Sequence, residues 1–528
     1  MDRDFYGLQK QIWRTIRNQR KEIKDFVTTT IIDENTWIQY LTELYKSEKE
    51  DTNRDNNDKI KVIVETTDEE INNTIHLLKN RKSPGEDTIT NEMIKHGGEK
   101  LHKEIIKLIK QIFQESRIPD DWKTSIVIPI FKKGDKQNPN NYRPINLLNS
   151  MLKITTKIIQ NKLTEMIPLC EEQQGYRLGR SCIDAIFVVR QIVEKSLEFN
   201  KPAYLCFIDL EKAFDRLELK DILNILEQYN IPNGLILLIQ DIFSNNFNKV
   251  KSNGRISEKK IKIGKGVRQG DSLSPLLFNL VMNEIIKEVR TGHGYKMGDN
   301  ELNMVCYADD VVLMANTEDD LQRLLYRFHL SCQKYNMKIS VLKSRVLTVS
   351  KMPIRCKLEL EGKVIEQVMS LKYLGTEINS WGMLQNEVLH QVNNAARIAG
   401  CMNDVIWRNK YLRKDTKVKI YKAVVRPILT YAAETRADTT KTKQMLETTE
   451  MNILRKIVGK TRRDRVRNEN IRQQLEIEKI GEWVERRRNE WNAHISRMAT
   501  DRLVRTARDN IPDGKRSPGR PRKRWRNS

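Results

Sequence analysis

Met304-Val305-Cys306-Tyr307-Ala308-Asp309-Asp310-Val311-Val312-Leu313-Met314-Ala315 sets two adjacent carboxylates inside an otherwise apolar stretch. Two short apolar runs around a small turn read as a hairpin with the carboxylates at its tip. A second apolar strand, Ala203-Tyr204-Leu205-Cys206-Phe207-Ile208, stops at a third carboxylate, Asp209. Ionised carboxylates beside a buried sheet are costly unless paired or bound to a cation. Hard divalent cations such as Mg²⁺ favour carboxylate oxygens together with phosphate oxygens. Two such ions can clamp the attacking and leaving oxygens of an in-line phosphoryl displacement. A bare Asp-Asp pair is more often only a polar turn, so the surrounding sequence decides between the two.

Moving outward, Thr317 with Asp320 reads as a helix N-cap. The helix behind it carries Leu321, Leu324, Leu325, Phe328 and Cys332 on one face. Ser125 to Phe131 reads as a strand, followed by the turn Lys132-Lys133-Gly134-Asp135. Leu101, Ile105, Leu108, Ile109, Ile112 and Phe113 form an apolar helix face. Lys363 to Ile365 and Leu371 to Gly375 read as strands, and the text from Glu387 to about Met498 is helical and basic. Before the core, Phe5, Leu8, Ile12 and Ile16 recur at helical spacing, and Ser47 to Asp58 reads as a polar linker.

The 528 residues carry 94 Lys and Arg against 70 Asp and Glu, a net charge of +24. That balance points to a polyanionic partner, with nucleic acid the first candidate. Seven scattered cysteines draw neither a disulfide framework nor a zinc knuckle. The charged start and the lack of a long apolar run give no secretory signal and no membrane span. The expected setting is intracellular, in the nucleus, the cytoplasm or both.

In-line displacement at a phosphate is the chemistry of nucleotide polymerisation, and the wider pattern resembles the reverse transcriptases of non-LTR (LINE-type) retrotransposons. Phe207-Ile208-Asp209-Leu210-Glu211-Lys212-Ala213-Phe214-Asp215 resembles that family's motif A. The stretch from Gly266 through Arg268-Gln269-Gly270-Asp271 to Asn279 resembles motif B, and Tyr307-Ala308-Asp309-Asp310 is the motif C box. Lys343-Ser344 and Leu371-Lys372-Tyr373-Leu374-Gly375 resemble motifs D and E. Lys82 to Asp87, Pro129 to Asp135, Asn141 to Ile145, Gly175-Tyr176-Arg177 and Gly179-Arg180-Ser181 fit its upstream motifs. The match runs in family order from about Lys82 to Gly375, which is far more specific than any one motif.

The resemblance implies an α+β right-hand polymerase of fingers, palm and thumb, with an antiparallel palm sheet. The expected divisions are a helical N-terminal extension over 1–58, fingers and palm over 59–380, and a thumb with a helical region over 381–500. A basic, disordered tail is expected over 501–528. The resemblance also implies that Asp209, Asp309 and Asp310 hold two Mg²⁺ ions, with Mn²⁺ as the alternative. Lys343 would protonate the leaving pyrophosphate. Arg143 would hold the triphosphate, and Phe214 would act as a steric gate against a 2′-hydroxyl. Gln269 and Gly270 would line the nucleotide and template pocket. RNA template, nucleic-acid primer and dNTPs are the implied partners.

Three positions depart from the family: Tyr176 replaces the usual Phe, Ser340 the usual Asn of motif D, and Arg436 a Trp. About 80 residues precede the first motif, too few for the apurinic-type endonuclease of full elements. The competing reading is therefore an inactive or incomplete nucleic-acid-binding relative. In the C-terminal half, Arg486-Arg487-Arg488 beside Trp483 and Trp491 is expected to line a groove along the duplex backbone. Lys515 to Arg526 holds seven basic residues and no acid, and suggests a nucleic-acid-binding tail or import signal.

Overall fold

The computed structural model describes residues 32–47, 62–290, 292–516, 518–519 and 522–527. The helical reading before residue 32 and the polar linker from residue 48 lie outside the described residues.

One sheet is built from β1 (Thr124–Phe131), β2 (Tyr142–Leu147), β4 (Asn246–Ser252), β5 (Arg255–Ile256) and β6 (Ile261–Ile263). Its β1 pairs antiparallel with β2 and parallel with β4. The second sheet has six strands: β3 (Ala203–Asp209), β9 (Met304–Tyr307), β10 (Asp310–Ala315), β11 (Arg345–Val349), β12 (Leu358–Leu360) and β13 (Lys363–Gln367). Their order is β12-β13-β11-β3-β10-β9. The four strands from β11 to β9 are antiparallel, as expected of a palm, while β11 and β13 run parallel. Two hairpins, β7 (Tyr295–Met297) with β8 (Asn300–Leu302) and β14 (Ser370–Tyr373) with β15 (Thr376–Asn379), flank it.

The palm strands are apolar at nearly every position because both faces of the sheet are covered. Side chains alternate across a strand, so Cys206, Ile208, Val311 and Leu313 share one core. Leu205, Phe207, Val312 and Met314 join another on the opposite face. The second face is backed by α2 (Cys182–Phe199). The first is backed by α3 (Ser274–Val289) and α4 (Glu318–Lys334). The α4 cap forms as its sequence dictates, with the Asp320 N–H donating to Thr317 Oγ1 at 3.1 Å.

Two expected divisions differ from the structure. Helix α1 (Glu34–Leu44), assigned to a separate extension, packs on the first sheet. Trp37 is buried there, edge-on to Tyr142 at 5.1 Å. The expected disordered tail is largely built in. Helix α9 (Leu503–Asp509) buries Val504 and Ala507 in the same core as the palm strands, and Trp525 joins them at 2% exposure. The basic composition of this segment hid a sparse apolar set that closes the palm's second face.

Between palm and tail lie α5 (Gln385–Cys401), α6 (Thr440–Val458), α7 (Asn468–Leu475) and α8 (Ile480–Arg497), around a core of their own. Arg436 is fully buried where α5, α8 and the preceding turn meet. Its guanidinium donates to Gln391 Oε1 at 2.6 Å and lies 3.4 Å from both Glu387 and Asp438. Glu387 is also paired with Arg190 of α2. The arginine in place of tryptophan is thus accommodated by two buried carboxylates. Among the described residues, no helix is long and apolar enough to cross a membrane.

Candidate active site

The register of β3 with β10 sets Asp310 directly opposite Asp209, and β10 with β9 sets Asp310 opposite Tyr307. Asp309 therefore occupies the hairpin turn with Ala308, whose φ of 57° is left-handed. An alanine holds that conformation only where its surroundings fix it. Gln173 does so: its Oε1 accepts the Ala308 N–H at 2.8 Å and its amide donates to the Ala308 carbonyl at 3.3 Å. Gly175 lies flat against the same turn, where a Cβ would collide with the Ala308 backbone. Asn279 of α3 donates to the Gly175 carbonyl at 2.9 Å.

The Asp209 backbone is pinned as well. Its carbonyl accepts the Ser340 N–H at 2.8 Å, and its N–H donates to Ser344 Oγ at 3.3 Å. Ser340 contributes through its main chain, so the departure from asparagine there leaves the contact intact. Lys343, on the same loop, reaches Asp209 Oδ2 at 3.5 Å with its ammonium largely in solvent.

The carboxylates crowd one another. Burial pushes the Asp309 carboxyl up, Asp209 adds to the rise, and Arg143 and Lys132 oppose it. Asp310 is pushed up to about 6 by lost solvation and by Asp309 and Asp209. Lys132 is lowered by burial and by its neighbours Arg143 and Lys343, so three cations share the electrostatics of one cleft. Arg143 itself stands on β2, exposed, and faces this cleft from the first sheet.

Phe214 stacks on the buried Phe278 ring, centroids 4.5 Å apart, and Tyr176 stands edge-on to it at 6.2 Å. Its position is fixed by the Val267 N–H, which donates to the Phe214 carbonyl at 2.9 Å. Gly266, at φ 88°, abuts Asp215, whose carbonyl would sit 2.8 Å from an added Cβ. Gln269 turns its amide inward: Nε2 donates to both Asp215 oxygens at 3.0 and 3.1 Å. A carboxylate only accepts, so the Gln269 carbonyl oxygen is left facing the other way. Gly270, at φ 131°, lies against the Asn146 carbonyl of β2, too close for any side chain. The structure therefore joins Asp209, Asp309, Asp310 and Lys343 at one point and Phe214 with Gln269 beside it, with Gly270 on the fingers side. Gln173 escaped the sequence reading, and Asp215 and Asn279, though inside the quoted motifs, received no role, since their partners lie 54 to 135 residues away.

Among the described residues, no group of three or more His, Cys, Asp or Glu side chains is placed to hold a metal ion by itself. The three aspartates still suit Mg²⁺ in donor chemistry. That ion is usually held by one or two carboxylates and completes its shell with water and substrate phosphates.

The arginines of the C-terminal triplet each lie beside carboxylates of the chain. Arg486 pairs with Glu478 and Glu490, Arg487 with Glu490, and buried Arg488 lies 3.9 Å from Asp438. Exposed basic charge gathers instead in the loop joining α6 to α7, at Lys460, Arg462, Arg463, Arg465 and Arg467. Arg455 anchors that loop through the carbonyls of Thr461 and Val466. Among the described residues, nothing pairs with the guanidinium groups of Arg462, Arg463, Arg465 and Arg467.

The sheet sets Asp209 of β3 beside Asp309 and Asp310 of the β9–β10 hairpin, with cations across a cleft, an arrangement whose chemistry suits transfer at a phosphate. Residues 130–378, just under half of the chain, match the family described as reverse transcriptase (RNA-dependent DNA polymerase). The chain is similar to polyproteins and RNA-directed DNA polymerases of retrotransposable and other mobile elements. It is 27% identical over 298 residues to the polyprotein of the R2 element of Nasonia vitripennis, covering 54% of this chain and 29% of that one. To the RNA-directed DNA polymerase of the mobile element jockey of Drosophila funebris it is 26% identical over 432 residues, covering 79% and 46%. The chain thus spans less than half the length of these relatives. Apo telomerase from Candida tropicalis aligns with 53% of this chain and 59% of its own, at 13% identity and a TM-score of 0.35, too remote to carry weight. Reverse transcriptases require a divalent cation in general.

Proposed function

We propose that this chain copies RNA into DNA, adding dNTPs to a primer annealed on an RNA template. The carrying observation is the strand register that sets Asp209 opposite Asp310, with Asp309 held in the turn between β9 and β10. Two Mg²⁺ ions, or Mn²⁺, held by Asp209, Asp309 and Asp310, would stabilise charge on the attacking and leaving oxygens.

The remaining work belongs to side chains. Arg143 and Lys132 offer the triphosphate its cationic partners from the fingers side. Lys343, beside Asp209, donates a proton to the departing pyrophosphate. The Phe214 ring, locked between Phe278 and Tyr176, fills the space a 2′-hydroxyl would need. The free guanidinium groups of the α6–α7 loop grip the phosphate backbone of the template–primer duplex. The setting proposed is the nucleus, the cytoplasm or both, which imaging of a tagged chain would test.

The deciding experiment is dNTP incorporation on a primed RNA template with Mg²⁺, comparing wild type with Asp309→Ala, Asp310→Ala. Incorporation lost in the double mutant supports the reading. A folded wild type that binds the template but adds no nucleotide overturns it in favour of a nucleic-acid-binding relative. Phe214→Val is expected to admit ribonucleotides, and unchanged sugar selection would remove the gate.

A further inference from the structure

The C-terminal segment holds itself against the palm by a set of contacts that the polymerase chemistry does not use. It runs along α2 and returns. At the start of α2, Arg502 pairs with Glu171 at 3.1 Å and lies 4.0 Å from Asp184. Further along, the Lys195 ammonium donates to the Ala507 and Arg508 carbonyls at 2.5 and 2.9 Å, closing the C-terminal end of α9. At the far end of α2, Arg516 and Arg524 both reach Glu198 Oε1, at 2.7 and 2.9 Å, and Arg516 lies over the Phe199 ring. Three of the basic residues expected to seek phosphate are thereby tied down: Arg516, Arg524 and Arg522, which donates to the Trp381 carbonyl at 2.7 Å.

Trp525 is the pin. Its backbone N–H donates to Glu194 at 2.9 Å, and its ring stands edge-on to Phe187 at 4.6 Å. Its indole N–H donates to the Glu434 carbonyl at 2.6 Å. Glu434 belongs to the short turn Ala433–Thr435 that follows Tyr431. Three residues earlier, the Tyr431 hydroxyl donates to the Leu374 carbonyl at 2.8 Å, and its ring covers Gly375. Leu374 and Gly375 form the β14–β15 turn, both with positive φ, a conformation that needs outside support for leucine. Tyr373, at the edge of that turn, packs on Phe207 at 5.4 Å, two residues before Asp209.

The geometry points to Trp525 as a positioning residue that acts through Glu434 and Tyr431 to hold the β14–β15 turn, and so governs how long the polymerase retains its primer–template. The segment is a clasp between palm and thumb-side helices and contributes little to phosphate binding. This rests on the polymerase reading, and two measurements keep the two apart.

The first is hydrogen exchange on the full chain without substrate, for wild type, Trp525→Phe, Trp525→Ala and Glu198→Gln. Trp525→Ala is expected to lose protection at Ala433–Thr435 and at Tyr373–Thr376. Trp525→Phe, which keeps the ring and loses the indole donor, should fall between it and wild type. Protection unchanged at Tyr373–Thr376 in every variant overturns the clasp, whatever the catalytic outcome. The second is extension of primed RNA under a heparin trap. Trp525→Ala is expected to shorten the run length about fivefold, with the rate of first-nucleotide addition within about twofold of wild type. If Trp525→Ala does not fold, Trp525→Phe and Glu198→Gln carry the same test with smaller shortening. Run length and first-addition rate falling together would mean a purely structural role and overturn the proposal. A wild type that adds no nucleotide overturns the polymerase reading and the retention role together, leaving the exchange result to judge the clasp alone.

Discussion

The hairpin tip and the Arg436 cluster both gather charge inside the protein, and they resolve it oppositely. At the tip, burial pushes the Asp309 and Asp310 carboxyls up and neighbouring carboxylates add to the rise, while the cations of the cleft stand on other elements. Around Arg436, Glu387 and Asp438 each have a guanidinium within 3.4 Å. Charge left uncompensated by the fold marks where a ligand completes the structure. Charge compensated within the fold marks where two bodies are fastened. Arginines follow the same division: Arg486, Arg487 and Arg488 each lie beside a carboxylate of the chain, while among the described residues nothing pairs with Arg462, Arg463, Arg465 and Arg467.

The largest expected contrast is between mutations in the two clusters. Asp309→Asn should lower incorporation by about 10³-fold or more while the melting temperature holds or rises. A lower melting temperature in that variant would mean that the tip is built for stability. Arg436→Ala should cost about 3 kcal/mol in urea denaturation, because it strands buried carboxylates. Arg436→Met, which keeps volume, should lose far less, and an equal loss from both would deny the cluster its electrostatic role.

Asp215 sits between the two cases: it is buried, and its carboxylate accepts from the Gln269 amide. Burial raises its carboxyl to about 6, against the opposing pull of Gln269, Lys212 and Lys132. A raised folded-state value gives stability that is full below about pH 4 and lost as pH climbs through about 6. Asp215→Asn should therefore stabilise the fold at pH 8 by up to about 3 kcal/mol, with the gap shrinking at pH 5. Urea midpoints at both pH values would check this, and a pH-independent gap would sink it. The smallest effect is at the surface. Arg462→Ala with Arg465→Ala should reduce the slope of log affinity against log salt by about one to two units, while Arg486→Ala leaves it unchanged. A slope that responds to Arg486 alone would reverse the assignment of the two arginine groups.

The sequence was most readable where local pattern and chemistry coincide. Asp209, Asp309 and Asp310 interrupt apolar strands, and those strands formed the antiparallel centre of the palm. The Thr317 cap needed only three residues to announce itself. What stayed hidden depends on distant partners. Nothing near Gln173 tells that its amide steadies a turn 135 residues on. Arg436 looks like any arginine until Glu387, 49 residues earlier, is brought beside it. The basic run from Lys515 to Arg526 suggested a solvated tail because composition outweighed one tryptophan, whose pocket is built from α2 and the Glu434 turn.

That pocket also orders events during synthesis. Trp525 meets Glu194 across 331 residues of chain, so a ribosome has made the catalytic hairpin long before it makes the residue that seals the sheet behind it. Until then the second face of the palm, though backed by α2, lacks the ring that packs on Phe187. A chain released before Trp525 would carry all three aspartates but a less completely covered core, and would be more open to proteolysis.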